Sequence, residues 1–267
     1  MNVTIAPTDD WLAQSLDDPL AILKKTKQGK SDVESLYRYL MKHGMYRPAH
    51  NAKKIYESMK ENKLWDLFMK FEKTYKNKWN GPDVPVYLLP VQGKRGLFQS
   101  SMKKSGVCFK DEIYLFLNKQ EDLKEYESLF VHEYHHCVRM ARLKKKDEDY
   151  TLMDSIIFEG LAEHAVREYC GEEYVASWTT AYEDNKLSYY YEKWIQPNLD
   201  ITRVNPLHDH LLLGQKNYPK MLGYAAGYYL VKKALKDKKK ITNLFIGKPS
   251  TFFIPENKLM RPLNSNR

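Results

Sequence analysis

The run Val131-His132-Glu133-Tyr134-His135-His136-Cys137 constrains this chain more than any other stretch, because it contains the pattern His-Glu-x-x-His. If the run is helical, His132 and His136 stand one turn apart on one face, so two imidazoles can serve a single metal ion while Glu133 reaches the water on it. A chance match is expected only roughly 0.02 times in a chain of this composition, so the spacing is a signal. The plain alternative is that these are surface or hydrogen-bonded core histidines. His135 is also a helical neighbour of His132. The pair His132 and His136 is preferred, because only that pair leaves Glu133 flanking the metal as a general base. His135 is then expected on the helix flank with a hydrogen-bond partner.

At 267 residues with 43% hydrophobic content, the chain can bury one sizeable core as one domain or two unequal ones. No apolar run reaches the roughly 18 residues needed to span a bilayer, and the first residues, from Met1 to Thr8, have neither a basic head nor an apolar stretch. A cytoplasmic location is therefore expected. Cys108, Cys137 and Cys170 are an odd number without a Cys-x-x-Cys, which argues against a disulfide framework and against a thiolate zinc site. Buried, reduced thiols are expected instead. The net charge of +9 raises nucleic acid as a partner, but lysines and acids interleave throughout and no basic-aromatic cluster occurs. The densest runs, residues 144–146 and 238–240, fall where helices should end and favour cations. No nucleic-acid partner and no membrane span are expected.

Two short helices fit residues 9–27, broken before Pro19, and longer ones run through Val33 to Met41 and through Ile55 to Phe71. Beyond Asn80-Gly81-Pro82 the period changes. Val84, Val86 and Leu88 with Pro85 and Pro90 predict an edge strand, since proline has no donor for the ladder. Residues 93–104 predict a polar loop, and residues 106–117 a hairpin or two adjacent strands turning at Asp111-Glu112. The histidine helix should begin near Gln120 to Leu123, bury Tyr126, Leu129, Phe130, Val138 and Ala141, and end near Arg142. After a charged turn, a second helix should run from Leu152 or Met153 to Tyr169 and stop at Gly171.

Counting along this helical hairpin locates a third ligand. About seven residues separate His136 from the end of the first helix, and about as many separate the start of the second helix from Glu159, roughly 10 Å each way. Glu159 thus returns level with His136, and Glu163 level with His132. Two histidines and one carboxylate leave an open position for water, as catalytic zinc sites require. Glu159 is the preferred ligand, with Gly160 and Ala162 keeping the helix surface low beside the metal. Glu163 is then either a carboxylate that orients a ligand histidine or, with His164, an ordinary helix contact.

The combination of His-Glu-Tyr-His-His, the later Glu159-Gly160-Leu161-Ala162, and Leu222-Gly223-Tyr224-Ala225-Ala226-Gly227-Tyr228 resembles the YjaZ-like family of predicted zinc-dependent proteases, of the gluzincin class. The match covers roughly residues 84–235. The resemblance implies a minimal zincin fold, peptidase activity, and Glu159 as the third zinc ligand.

The expectation is an α+β, predominantly helical zincin-like fold with a small β-sheet preceding the metal-binding helix pair. Its expected parts are a helical region 1–80, a metallopeptidase domain 81–258 and a disordered tail 259–267. Zinc held by His132, His136 and Glu159 would lower the pKa of its water to about 7, and Glu133 would shuttle the proton to the leaving amine. For the second donor at the developing oxyanion, Tyr224 is chosen over Tyr228, His208 and His210, although with 20 tyrosines in the chain a core role is the rival reading. The expected substrate is a peptide or unfolded protein segment, extended along the strand edge within residues 106–117. The aromatic group Trp178, Tyr189, Tyr190, Tyr191 and Trp194 reads either as pocket or, more simply, as core. The competing function is a catalytically silent regulatory or binding protein that keeps the metal site.

Overall fold

The computed structural model describes residues 4–92, 104–236 and 242–255. The chain divides into two compact units, Met1–Ala141 and Arg142–Arg267. The first unit opens with the two short helices expected around Pro19, α1 (Thr8–Ser15) and α2 (Pro19–Leu23). Asp18 caps α2 by accepting the Ala21 N–H at 3.0 Å, and Pro19 occupies the first helical position, where its missing donor costs nothing. Next comes α3 (Val33–Lys42), capped in the same way by Asp32.

The single helix expected through residues 55–71 is instead two, α4 (His50–Glu61) and α5 (Leu64–Trp79). Lys63 between them adopts a left-handed conformation with φ 50°. That conformation interrupts the hydrogen-bond ladder at Asn62-Lys63, where apolar periodicity alone shows no break. Asn80, also left-handed, ends α5.

Strands β1 (Val86–Pro90), β2 (Lys104–Phe109) and β3 (Glu112–Leu117) form one sheet in the order β1-β3-β2. The expected hairpin is present, with β2 antiparallel to β3 and Val107 opposite Tyr114. β1 runs parallel to β3 on the other side, with Val86 opposite Ile113. The proline-flanked strand is therefore an outer strand of the described sheet, as its sequence requires. The substrate edge expected across residues 106–117 is narrower than anticipated. β3 is paired on both sides, so within residues 106–117 only the β2 portion presents an edge. Of the loop expected at residues 93–104, Lys104 opens β2 and the remainder lies outside the described residues, as does the expected tail at 259–267.

The histidine run lies on α6 (Lys124–Leu143), which is buried over most of its length. Ala141, expected on the buried side, is only half-buried. Aromatic side chains of α5 clamp the helix. Phe68 and Tyr75 pack on Phe130 with ring centres 6.1 and 6.2 Å away, and Trp79 stacks on Tyr134 at 6.0 Å. Polar bonds fix the register, Tyr75 Oη donating to Glu127 at 2.6 Å and Tyr134 Oη to the Pro82 carbonyl at 2.9 Å. Part of the first third of the chain thus supports the histidine helix directly.

The second unit contains α7 (Leu152–Tyr169), α8 (Asp184–Tyr190), α9 (Pro206–Leu213), α10 (Leu222–Ala234) and α11 (Thr242–Phe245). A reciprocal cap starts α7, with Thr151 accepting from the Asp154 N–H while Asp154 accepts from the Thr151 N–H. Asp154 also accepts from Lys145 Nζ at 2.7 Å and Ser250 Oγ at 2.6 Å. Burial pushes its carboxyl up, but these donors outweigh burial and hold it below the usual value. At the other end Gly171 takes φ 121°, a positive value that favours glycine, as expected at this stop.

The small residues of α10 allow the close packing expected of them. A Cβ on Gly227 would stand within bonding distance of the Ile156 carbonyl, and one on Gly160 would stand 2.9 Å from the Tyr228 nitrogen. The bare face of Gly160 therefore serves the crossing of α7 with α10. No described helix is long and apolar enough to cross a membrane.

Two stability measurements check these contacts. Gly227→Ala forces the α7–α10 backbones apart and should cost at least about 2 kcal/mol in denaturant unfolding. Asp154→Asn should cost about 2 kcal/mol near neutral pH. Because the folded pKa of Asp154 is depressed, its contribution is complete above the unfolded value near 3.8 and disappears as pH falls through the folded one. The gap between wild type and variant should therefore close in acid.

Candidate metal centre

On α6, His132 and His136 project one turn apart, with Nε2 atoms 3.1 Å from each other and ring planes at 86°. Two nitrogen lone pairs cannot face each other at that distance without a proton or a cation between them. Tetrahedral zinc ligands at about 2.0–2.1 Å from the metal stand about 3.3 Å apart, close to the observed spacing. His135 points elsewhere. It is fully buried, and its ring meets Trp79 edge-on at 5.5 Å.

Glu133, also buried, turns toward β2. A Cβ built on Gly106 would lie 2.6 Å from both Cδ and Oε1 of Glu133, so the carboxylate rests directly against the strand backbone. Sequence reasoning passed over Gly106, although a glycine inside a strand is a recognised mark of close approach. Two residues further along, Cys108 Sγ and Cys137 Sγ both donate to the Phe109 carbonyl, at 3.1 and 3.2 Å. Burial, then the neighbouring Cys137, holds the Cys108 thiol well above its ordinary pKa. Cys137 and Cys170 are buried, as expected, whereas Cys108 is half-buried, and none of the three is in a disulfide among the described residues.

On α7, Glu159 is half-buried, and Gly160 beside it fixes that turn against α10. Glu163 is buried and accepts the Ala176 N–H at 2.9 Å. That bond anchors the turn carrying Trp178, whose ring stands edge-on to Tyr224 at 5.2 Å and to Tyr228 at 6.4 Å. His164 stacks on Tyr228 at 4.2 Å, and burial pushes its pKa down to about 3, so the ring is neutral. Tyr228 is correspondingly a packing residue, whereas Tyr224 is only half-buried.

His208 is buried, its Nε2 3.0 Å from Ser155 Oγ and its Nδ1 2.8 Å from Asp209 Oδ1. These bonds tie α9 to α7. With both ring nitrogens engaged and the ring 1% exposed, His208 has no free atom for substrate. His210 on the same helix is half-buried. Of the aromatic group, Tyr191 is core while Tyr189 is 56% exposed.

A nitrogen from each of His132 and His136 and a carboxylate oxygen of Glu159 all lie within 4.8 Å of one another. Two imidazoles with one carboxylate are the donor set of zinc sites that keep a position open for chemistry, so these residues fit that metal. The chain belongs to the family described as predicted Zn-dependent protease (DUF2268), which matches residues 64–253. It is 38% identical over 257 residues to the Bacillus subtilis (strain 168) protein named "Uncharacterized protein YjaZ", covering 94% of this chain and 98% of that one. A second protein of that organism, "Uncharacterized protein YjfC", is 29% identical over 129 residues, 45% of this chain and 43% of the other. No solved structure matches. The family match extends beyond residues 84–235 and begins at the first residue of α5, the helix that clamps α6.

His208→Ala should lower the stability of the protein by about 2 kcal/mol, through lost packing and an abandoned Ser155 hydroxyl. Its bound-metal content should match wild type. Loss of metal in this variant would place His208 in the site.

Proposed function

We propose that this chain is a zinc-dependent metallopeptidase of the gluzincin type with a zincin-like catalytic portion over residues 81–258. His132 and His136 each contribute an imidazole nitrogen to the metal, and Glu159 contributes a carboxylate oxygen. The observation that carries this reading is the convergence of those three ligand atoms within 4.8 Å. When bound, zinc supplies Lewis acidity, polarising the scissile carbonyl and bringing the pKa of water to about 7.

Glu133 is the general base. Its Oε1 takes the proton of the attacking water and returns it to the nitrogen of the departing amine. Tyr224 donates its phenolic O–H to the oxygen that gains charge during attack. Its partial exposure favours it over Tyr228, which is stacked on His164, and over His208, whose two nitrogens are occupied.

The substrate is a peptide or unfolded protein segment that adds to the outer edge of β2, where main-chain bonding supplies affinity. Three reduced thiols suit a reducing compartment, which supports a cytoplasmic site of action. The even mixing of charges supports neither a nucleic-acid nor a membrane-surface role.

Protein isolated without added zinc should contain about one equivalent by elemental analysis, and His132→Ala should lose it. Glu133→Gln should keep the metal and cleave no member of a diverse peptide library. Tyr224→Phe should lower kcat on the order of 10²-fold with KM little changed. Unchanged cleavage by the Glu133 variant would remove that residue from the mechanism. A fully metallated wild type that cleaves nothing would leave a silent binding protein as the better reading.

A further inference from the structure

β2 lies along the histidine helix with one face turned to it, and the pairing can be followed residue by residue. Lys104 Nζ donates to the Glu125 carbonyl at 2.5 Å and also to Ser128 Oγ. Cys108 meets Cys137 around the shared Phe109 carbonyl. The nine residues of helix from Ser128 to Cys137 rise about 13 Å, and the four residues of strand from Lys104 to Cys108 advance about the same, so the two elements keep step. Between those contacts, at the middle position of the same strand face, stands Gly106, and opposite it is the Glu133 carboxylate. A Cβ there would lie 2.6 Å from Glu133 Cδ and Oε1, far inside contact distance, and Cγ would also be overlapped.

We propose that Gly106 is a positioning residue. The missing side chain lets the strand backbone act as a flat stop that selects one conformation of the Glu133 carboxylate. This rests on the reading of Glu133 as the general base. Larger residues are accepted on either side along this face because Ser128 and Cys137 are small. At position 106 the opposing side chain is the one that must not move, since a carboxylate displaced by about 1 Å loses its reach to the water proton. Among the described residues the positive-φ glycines are Gly44, Gly171 and Gly214, so Gly106 is needed for space, not for backbone conformation.

The experiment is a double-mutant cycle read in two ways on the full chain. In thermal unfolding, Gly106→Ala should lower the midpoint by roughly 3–8 °C in the wild-type background and by almost nothing in Glu133→Ala, where the obstructing carboxylate is gone. Equal drops in both backgrounds would overturn the proposal and make Gly106 a matter of strand packing alone. In peptide cleavage, Gly106→Ala should lower kcat on the order of 10²-fold, with KM and zinc content held. Glu133→Asp, harmful by itself, should partly restore kcat in the Gly106→Ala protein, because the shorter acid clears the new methyl group. A Gly106→Ala enzyme with wild-type kcat, or one altered only in KM, would overturn the proposal. Should wild type cleave no peptide at all, the peptidase reading fails on its own account and the unfolding cycle alone decides whether Gly106 seats the carboxylate.

Discussion

Two imidazole nitrogens 3.1 Å apart are a demanding arrangement, because both rings are basic and neither can retreat once its helix is packed. Within the first unit, α5 and β2 hold that helix in place. Phe68, Tyr75 and Trp79 of α5 interleave with Phe130 and Tyr134 of α6, each aromatic pair contributing about 0.5–1.5 kcal/mol beyond its buried area. The hydroxyls of Tyr75 and Tyr134 then fix the register. Trp79 also meets the buried His135 edge-on. On another side of the helix β2 supplies a matched surface, bonded through Lys104 toward one end and meeting Cys137 toward the other.

The second unit solves a different problem, holding one carboxylate on a helix that is itself buried on most sides. It does so with bare backbone. Gly160 and Gly227 let α7 and α10 touch main chain to main chain, so the turn beginning at Glu159 has little freedom to rotate. The Asp154 cluster fastens the start of α7, and Glu163 fastens the turn that carries Trp178. Tyr224 stands half-exposed beside that indole. Glu159 and Tyr224 are thus held by well-packed neighbours while remaining half-buried themselves.

Much of this was legible in the residues, and the misses have physical causes. The His-Glu-x-x-His spacing, the hairpin, the proline-bearing strand, the ends of α7 and the close-packing role of the small residues in α10 are local patterns, and local patterns survive into the fold. The break between α4 and α5 was not legible, because one left-handed residue, Lys63, leaves the apolar period on either side of it undisturbed. The edge was drawn too wide because strand order is non-local. Nothing in residues 112–117 announces that β1 pairs on their far side. The partner of Gly160 was likewise invisible, since two helices compete for its bare face and only the fold chooses α10. His208 looked like a rival donor on residue type, and became a tether only once Ser155 and Asp209 stood beside it. Gly106 carried a usable signal, a glycine at the centre of a strand, whose partner sequence alone could not supply.

His132, His136 and Glu159 are proposed to share one zinc ion. Zinc-edge X-ray absorption on the metallated protein tests it most directly. Four or five nitrogen and oxygen neighbours at about 2.0–2.1 Å are expected, with the outer-shell scattering of two imidazoles, and no zinc-edge signal from His132→Ala prepared in the same way. A sulfur shell at about 2.3 Å would draw the metal to the thiols of Cys108 and Cys137 and overturn this assignment, as would a His132→Ala protein that still holds zinc with an unchanged spectrum.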